Sequence, residues 1–152
     1  MPEAATILAA YLAPSRVVFI PEGRTQRDAL IELAEVAGEG WPPAQRSSFI
    51  SALFDREAVT TTAIGHGIAV PHARLAHLSH CAVTIGIAAS GIDWNARDIQ
   101  PATIIVLIAA REDAPNEHLR LLAAIAALLR DPTRRAAVIA ATTPEAVIVA
   151  MM

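Results

Sequence analysis

The sequence predicts a single α/β domain built on a mixed sheet. Segments with helical apolar spacing alternate with short apolar segments that are typical of strands. Residues 104–108, Ile-Ile-Val-Leu-Ile, are apolar on both faces, as in a central strand that is covered on both sides. The two clearest strands, 81–89 and 102–110, are joined by a short turn-rich connection, which favours an antiparallel hairpin. Such a hairpin makes the predicted sheet mixed.

Length and composition exclude several classes of protein. The 152 residues suit one domain, 1–152, and show no repeat or linker. Although 54% of the residues are hydrophobic, no apolar run approaches membrane-spanning length. The N-terminus lacks the positive region of a secretory signal, and the single cysteine, Cys81, excludes an intramolecular disulfide. We therefore expect a cytoplasmic protein without direct membrane insertion. The net charge of −3 argues against a general nucleic-acid binder.

The first elements follow from local signals. Residues 4–12 have a modest helical pattern, and residues 16–20 indicate a strand that ends at a Pro-Glu-Gly turn. Thr25 is a good N-cap for a second helix, which Gly38 ends. A third helix follows a Pro-Pro break, and its apolar face carries Phe49, Ala52 and Leu53. A helix, a strand and two more helices are thus predicted before the middle of the chain.

The C-terminal part of the chain is predicted to be helical. From Asn116 a helix runs to about Arg130, with an apolar stripe of Leu119, Leu122, Ala126 and Leu129. Asp131-Pro132 and Thr143-Pro144 each place a capping side chain before a proline, which predicts the start of two closing helices.

The segment 56–74 is the centre of the functional prediction. Gly65 and Gly67 bracket His66, so the backbone there has conformations closed to other residues and can approach a ligand. Ile-Ala-Val then begins a strand that ends at Pro71, since proline brings no N–H to a sheet. His72 is therefore expected where a rigid strand passes into irregular chain.

This order of residues, Arg56-Glu57, a threonine-rich turn and Gly-x-Gly-Ile-Ala-Val-Pro-His, resembles the type-2 EIIA domain of the bacterial phosphoenolpyruvate-dependent phosphotransferase system. The resemblance implies that His72 is the phosphorylated histidine, with Arg56 and His118 beside it. It also implies a three-layer α/β/α fold with a mixed sheet of four or five strands. The partners implied are an HPr-type phosphocarrier and either an EIIB domain or regulated target proteins.

The chemistry implied is transfer between histidines without a metal or cofactor. A neutral imidazole is a competent nucleophile near pH 7, and Arg56 would neutralise the phosphoryl oxygens. His118 would donate a hydrogen bond from the first turn of its helix. Further donors are expected from two threonines and from the backbone of the glycine turn: Thr61, Thr62, Gly65, His66 and Gly67. Relatives often carry Asn or Glu between the two glycines, so His66 departs from the family pattern.

Three alternatives remain open on the sequence. We favour a stand-alone EIIA of the nitrogen-regulatory kind, with a fructose- or mannitol-type sugar-transport component as the alternative. A non-catalytic interaction module on the same fold is the third, although such a module does not need Arg56, His72 and His118 together. By itself Arg56 also has a purely structural interpretation, as a cation at a helix C-terminus.

Other sites are disfavoured. His77-x-x-His80 beside Cys81 lacks the second half of a zinc site, so both histidines are expected on an exposed loop and Cys81 in the core. Asp93 and Asp98 are interpreted as solvated loop acids. The chain has no lysine and hence no P-loop. The apolar composition predicts a hydrophobic rim around His72, formed by the 65–70 turn, including Ile68, and by the start of the 116 helix.

Overall fold

The computed structural model describes residues 2–152, and across them the chain forms six α-helices and six strands. The helices are α1 Pro2–Ala9, α2 Gln26–Ala37, α3 Pro43–Val59, α4 Pro115–Leu129, α5 Pro132–Ala140 and α6 Pro144–Met151, with a 3-10 turn at Pro14–Arg16. The strands are β1 Val17–Phe19, β2 Ala63–Gly65, β3 Ile68–Ala69, β4 His72–Leu75, β5 Ala82–Ile92 and β6 Ala102–Arg111. No helix within residues 2–152 is long and apolar enough to cross a membrane.

The sheet is mixed, as predicted. Its order is β1-β5-β6-β3-β2, and β4 pairs with β6 as well. The predicted hairpin is confirmed, because β5 and β6 pair antiparallel, whereas β1 runs parallel to β5 and both β3 and β4 run parallel to β6. The sheet has six strands instead of the four or five expected. The additional strands, β2 and β4, have three and four residues, too few for an alternating pattern to be visible in the sequence.

Helices cover both faces of the sheet, which confirms the three layers. Alternate residues of β6 enter two separate cores: Ile104, Val106 and Ile108 pack in one, Ile105 and Leu107 in the other. The first core includes buried residues of α1, α4, α5 and α6, and the second those of α2 and α3. Burying one such side chain contributes about 1.5–3 kcal/mol. The two-sided apolar segment therefore behaves as a central strand.

The predicted helix caps are confirmed. Thr25 accepts a hydrogen bond from the amide of Asp28, whose side chain accepts one in return, and Gly38 ends α2. Asp131 and Thr143 accept hydrogen bonds from backbone amides in the first turns of α5 and α6. These positions are predictable because a cap satisfies amides that the helix itself leaves unpaired.

The predicted apolar stripe of α4 is correct for Leu129, which is buried, and for Leu122, which is partly buried against the core, but it is wrong for Leu119 and Ala126. Leu119 is 57% exposed and Ala126 is exposed, whereas Leu121, Ile125 and Leu128 are buried. Leucine and alanine occur on several faces of this helix, so spacing alone does not identify the face that packs on the sheet. As a consequence, His118 belongs to the buried face.

Candidate functional site

Three distant segments meet at one open depression. Arg56 comes from the last turn of α3, His72 and Arg74 from β4, and His118 from the first turn of α4. Together with Ala52 and Ala73 they line a depression of about 390 Å³. The three residues that the resemblance predicted to act together are thus neighbours, although they lie far apart in the sequence.

His72 opens a strand and is not followed by irregular chain, so that expectation was wrong. It begins β4 opposite Ile108 of β6, and the parallel register continues to Leu75. Pro71 therefore marks a break between two short strands, β3 and β4, that both pair with β6. This pairing gives the backbone of His72 a rigid support on the central strand.

The His72 ring is held in one tautomer and kept neutral. Its Nδ1 lies 2.8 Å from the carbonyl oxygen of Val70, which can only accept, so Nδ1 carries the proton and Nε2 keeps a lone pair. Burial lowers the pKa of His72 and outweighs the opposing hydrogen bond to Val70, while the charge of Arg56 lowers the pKa further. The side chain is half-buried. A neutral Nε2 thus remains available as a nucleophile.

His118 is a buried neutral histidine beside that ring. It is 3% exposed, and its ring centroid lies 4.8 Å from that of His72. Burial, followed by the charges of His72 and Arg74, lowers the pKa of His118 to about 4. Its Nδ1 accepts a hydrogen bond from Nε of Arg74 at 3.3 Å. Its Nε2 is buried and has no partner anywhere in residues 2–152.

Arg56 both contacts the end of α3 and lines the depression around His72. One terminal nitrogen donates to the carbonyl oxygen of Thr60, the C-cap of α3, at 2.8 Å. This bond satisfies a helix-end carbonyl and orients the guanidinium. Arg56 also lines both the depression around His72 and an adjoining one of about 410 Å³. A guanidinium has five N–H donors, so several remain after the bond to Thr60.

The predicted threonine donors are engaged elsewhere. Thr61 and Thr62 line the adjoining depression, but the Thr61 hydroxyl donates to the carbonyl oxygen of Trp94. The Thr62 hydroxyl donates to the carboxylate of Glu57 and accepts from Nε1 of Trp94 at 3.1 Å. Glu57 also accepts from the amide of Thr62. The hydroxyls therefore brace the turn beneath the site and have no hydrogen left for a phosphoryl group in this arrangement.

The glycine turn lies in a neighbouring depression. Gly65 and His66 line a space of about 530 Å³ that His72 does not line. The amide of His66 donates to Asp98 at 2.9 Å, and this bond lowers the pKa of Asp98. Asp98 is exposed, as expected, but it also holds the backbone of the glycine turn through this bond. The carbonyl of Gly67 accepts from Thr103 and Ile104, so this glycine attaches the turn to β6.

The predicted rim changes in one position. Ile68 is only 4% exposed and packs in the core on the α4 side of the sheet, so it cannot form part of a contact surface. Ile64 is 50% exposed and lines the adjoining depression with Leu122 and Ala126 of α4. Leu119, which is exposed, lies three residues before Leu122 and therefore on the same face of α4. We call Ile64, Leu119, Leu122 and Ala126 the apolar rim.

Arg74 is the site residue that the sequence did not reveal. It lies two positions after His72, and side chains two apart in a strand share one face. That signal is usable only once residues 72–75 are known to form a strand. Glu57 belongs to the sequence motif, but its support of Thr62 was not predicted.

The remaining histidines and the cysteine lie away from this site. His77 and His80 are exposed on the loop before β5, and Cys81 is buried, as expected. Within residues 2–152, no group of three or more His, Cys, Asp or Glu side chains could hold a metal ion. Burial raises the pKa of Cys81 to about 11, which makes the thiol unreactive.

Comparison with known protein families assigns the chain to the phosphotransferase class. Residues 10–151 match the family "Phosphoenolpyruvate-dependent sugar phosphotransferase system, EIIA 2", and the chain belongs to that family. Members of this family are components of a phosphotransferase system.

Two relatives differ in kind and in length. The chain is 36% identical over 120 residues to the nitrogen regulatory protein of Bradyrhizobium diazoefficiens, covering 79% of this chain and 78% of that protein. It is 32% identical over 127 residues to the fructose-specific EIIABC component of Bacillus subtilis, covering 84% of this chain but only 20% of that protein.

Two solved structures share the fold. The nitrogen regulatory protein IIA-Ntr from Neisseria meningitidis superposes with a TM-score of 0.87 at 22% identity, covering 96% of this chain and 99% of that one. Enzyme IIA-mannitol of Escherichia coli, in its complex with phosphorylated enzyme IIB-mannitol, gives a TM-score of 0.76 at 21% identity, covering 92% and 96%.

Proposed function

We propose that the protein is a phosphocarrier that accepts a phosphoryl group onto Nε2 of His72. The donor is the phosphohistidine of an HPr-type carrier, and the group passes on to an EIIB-type partner or serves as a regulatory signal. In the transfer, the Nε2 lone pair attacks phosphorus while the donor P–N bond breaks in line. The donor imidazole leaves with that electron pair, so no oxidant, metal or cofactor is needed.

The observation that supports this proposal is the unpartnered Nε2 of His118 beside a neutral His72. A buried N–H without an acceptor costs about 1–3 kcal/mol, so its presence points to an acceptor that is supplied during function. A phosphoryl oxygen on His72 is such an acceptor. Arg56, one of whose nitrogens is tied to Thr60, contributes the positive charge that offsets the charge of the phosphoryl group.

The direct test is phosphorylation with phosphoenolpyruvate, enzyme I and HPr, followed by mass spectrometry. We expect one acid-labile phosphoryl group on the wild type and none on His72→Ala. His80→Ala is the matched control, because His80 is exposed on a loop and lines no wall of the site. A wild type that gains no phosphoryl group would favour the non-catalytic interaction module instead.

Arg56→Ala should slow the transfer more than it weakens docking. Arginines that stabilise a moving phosphoryl group contribute about 10³–10⁵-fold in other phosphoryl transferases, and we expect about 10³-fold or less here. Rapid-quench rates at saturating HPr measure this effect. An unchanged rate would mean that Arg56 has only a structural role, through its hydrogen bond to the end of α3.

The partner is proposed to dock on the apolar rim. The contact must be transient, so it should belong to the small interfaces, below about 1,200 Å². Leu119→Asp should weaken transfer from phospho-HPr and leave transfer from a small-molecule phosphodonor nearly unchanged. Val149→Asp is the matched control, since Val149 is 74% exposed on α6. Equal losses with both donors would place the docking surface elsewhere.

The regulatory form of this function is our first choice. It is supported by the similarity to a nitrogen regulatory protein along most of both chains, whereas a sugar-transport role is supported by the fructose-specific relative. Incubating the phosphorylated protein with EIIB domains of fructose and mannitol type separates the two roles. Rapid transfer to either EIIB supports sugar transport, and no transfer supports regulation. A cytoplasmic location, with neither nucleic acid nor membrane as partner, belongs to the same proposal.

A further inference from the structure

Arg74 contacts His118, the histidine that is proposed to donate a hydrogen bond to the phosphoryl group. It projects from the same face of β4 as His72 and lines the same depression. Its Nε donates to Nδ1 of His118 at 3.3 Å, and its terminal nitrogens have no acceptor within residues 2–152. The Arg74 side chain is exposed, and this hydrogen bond joins it to the buried ring of His118.

The contact determines where the proton of His118 lies. An arginine is always protonated and never accepts, so the atom that meets its Nε–H must carry a lone pair. Nδ1 of His118 is therefore unprotonated. Since the ring is neutral at physiological pH, the proton must be on Nε2. This assignment comes from the hydrogen-bond partners, and it makes the unpartnered Nε2 a donor.

We propose that Arg74 is a positioning residue, which holds His118 in the tautomer whose Nε2–H is available to a phosphoryl oxygen on His72. This inference rests on the proposed phosphocarrier function. Without a donor-only partner at Nδ1, the proton can move to Nδ1, and Nε2 then presents a lone pair. An N–H at Nε2 would donate a hydrogen bond to a phosphoryl oxygen, whereas a lone pair there repels that oxygen. Only the tautomer with Nε2–H can therefore make this contact.

Two substitutions separate the tautomer from other effects of Arg74. Arg74→Lys keeps a side chain that can only donate, whereas Arg74→Gln places an amide at the same reach as the arginine Nε and can either donate or accept. Glutamine can therefore hydrogen-bond to Nδ1 of His118 in either tautomer, whereas lysine can do so only when Nδ1 is unprotonated. Arg24→Leu is the control for the loss of one positive charge, because Arg24 is exposed before α2 and does not line the depression.

The first measurement uses the unphosphorylated protein. Long-range 1H–15N correlation spectra distinguish the two tautomers of His118. We expect the Nε2–H form alone in the wild type, in Arg74→Lys and in the Arg24→Leu control, and a mixture in Arg74→Gln. A single Nε2–H form in Arg74→Gln would overturn the proposal. This result does not depend on phosphorylation, so it remains decisive even if the wild type accepts no phosphoryl group and the proposed function fails.

The second measurement tests whether Arg74 acts through His118. Removing one donor from an anion-stabilising site typically slows a reaction about 10²–10³-fold, so partial loss of the correct tautomer in Arg74→Gln should slow transfer about tenfold. In a His118→Ala background the same substitution should slow it no further, because the ring that Arg74 positions is gone. Equal slowing in both backgrounds would mean that Arg74 acts directly on the phosphoryl charge, and the positioning role would be wrong.

Discussion

Acidification should destabilise the folded protein through His118. In the unfolded chain its ring takes up a proton near its ordinary pKa of 6.5, but in the folded protein the pKa is about 4. The unfolded state therefore binds more protons between these values, and stability decreases as the pH falls from about 6.5 toward 4. Above that range the contribution is constant.

The magnitude follows from the two pKa values. At about pH 5 the unfolded ring is almost fully protonated and the folded ring is mostly neutral, which costs about 2 kcal/mol relative to neutral pH. His118→Leu removes this term, because leucine occupies the buried position without titrating and Arg74 can hydrogen-bond to water. The variant should therefore lose about 2 kcal/mol less than the wild type on acidification.

Urea unfolding at neutral pH and near pH 5 measures this difference. His80→Gln is the matched control, since it removes an exposed histidine and should keep the wild-type pH dependence. The pKa of His72 is also lowered, so this residue decreases the stability of all three proteins on acidification. Equal acid-induced losses in the wild type and His118→Leu would refute a depressed pKa at His118, and with it the neutral donor proposed beside His72.

Three further substitutions test the fold around the site. Gly67→Ala should lower stability by about 1–2 kcal/mol in thermal denaturation, since φ is +77° and the new Cβ would lie 2.9 Å from Oγ1 of Thr103; an unchanged melting temperature would contradict this. Ile68→Asp should abolish the cooperative unfolding transition measured by circular dichroism, because the substitution buries a carboxylate in the core. A variant that still folds would mean that Ile68 is accessible to solvent. Tyr11→Phe should cost about 1 kcal/mol in urea unfolding by removing the hydrogen bond to Glu117, and no loss would mean that water replaces it.

Features set by local chemistry were predictable from the sequence. The caps at Thr25, Asp131 and Thr143 depend on a side chain and the first turn that follows it, so the information lies within a few residues. The central strand was equally visible, because both faces of Ile104–Ile108 are apolar and both are covered in the structure.

Features set by long-range pairing were not predictable in the same way. β2 and β4 are strands because they pair with β3 and β6, and their three or four residues have no distinctive pattern of their own. Which face of α4 packs on the sheet is also determined by tertiary contacts. Its exposed residue Leu119 is as apolar as those that pack, and only the position of the sheet decides between them.

The candidate site combines both kinds of feature, which explains why Arg74 was missed. The motif identified His72 because its glycines and proline lie close together in the chain just before it, and the family pattern supplied Arg56 and His118. Arg74 joins them only because residues 72–75 pair with β6, which places every second side chain on the face of β4 that points toward α4. Once β4 is assigned, the two-residue spacing to His72 predicts that Arg74 faces His118 as well. A donor that fixes the tautomer of a buried histidine therefore becomes visible from strand pairing, and not from any motif around that histidine.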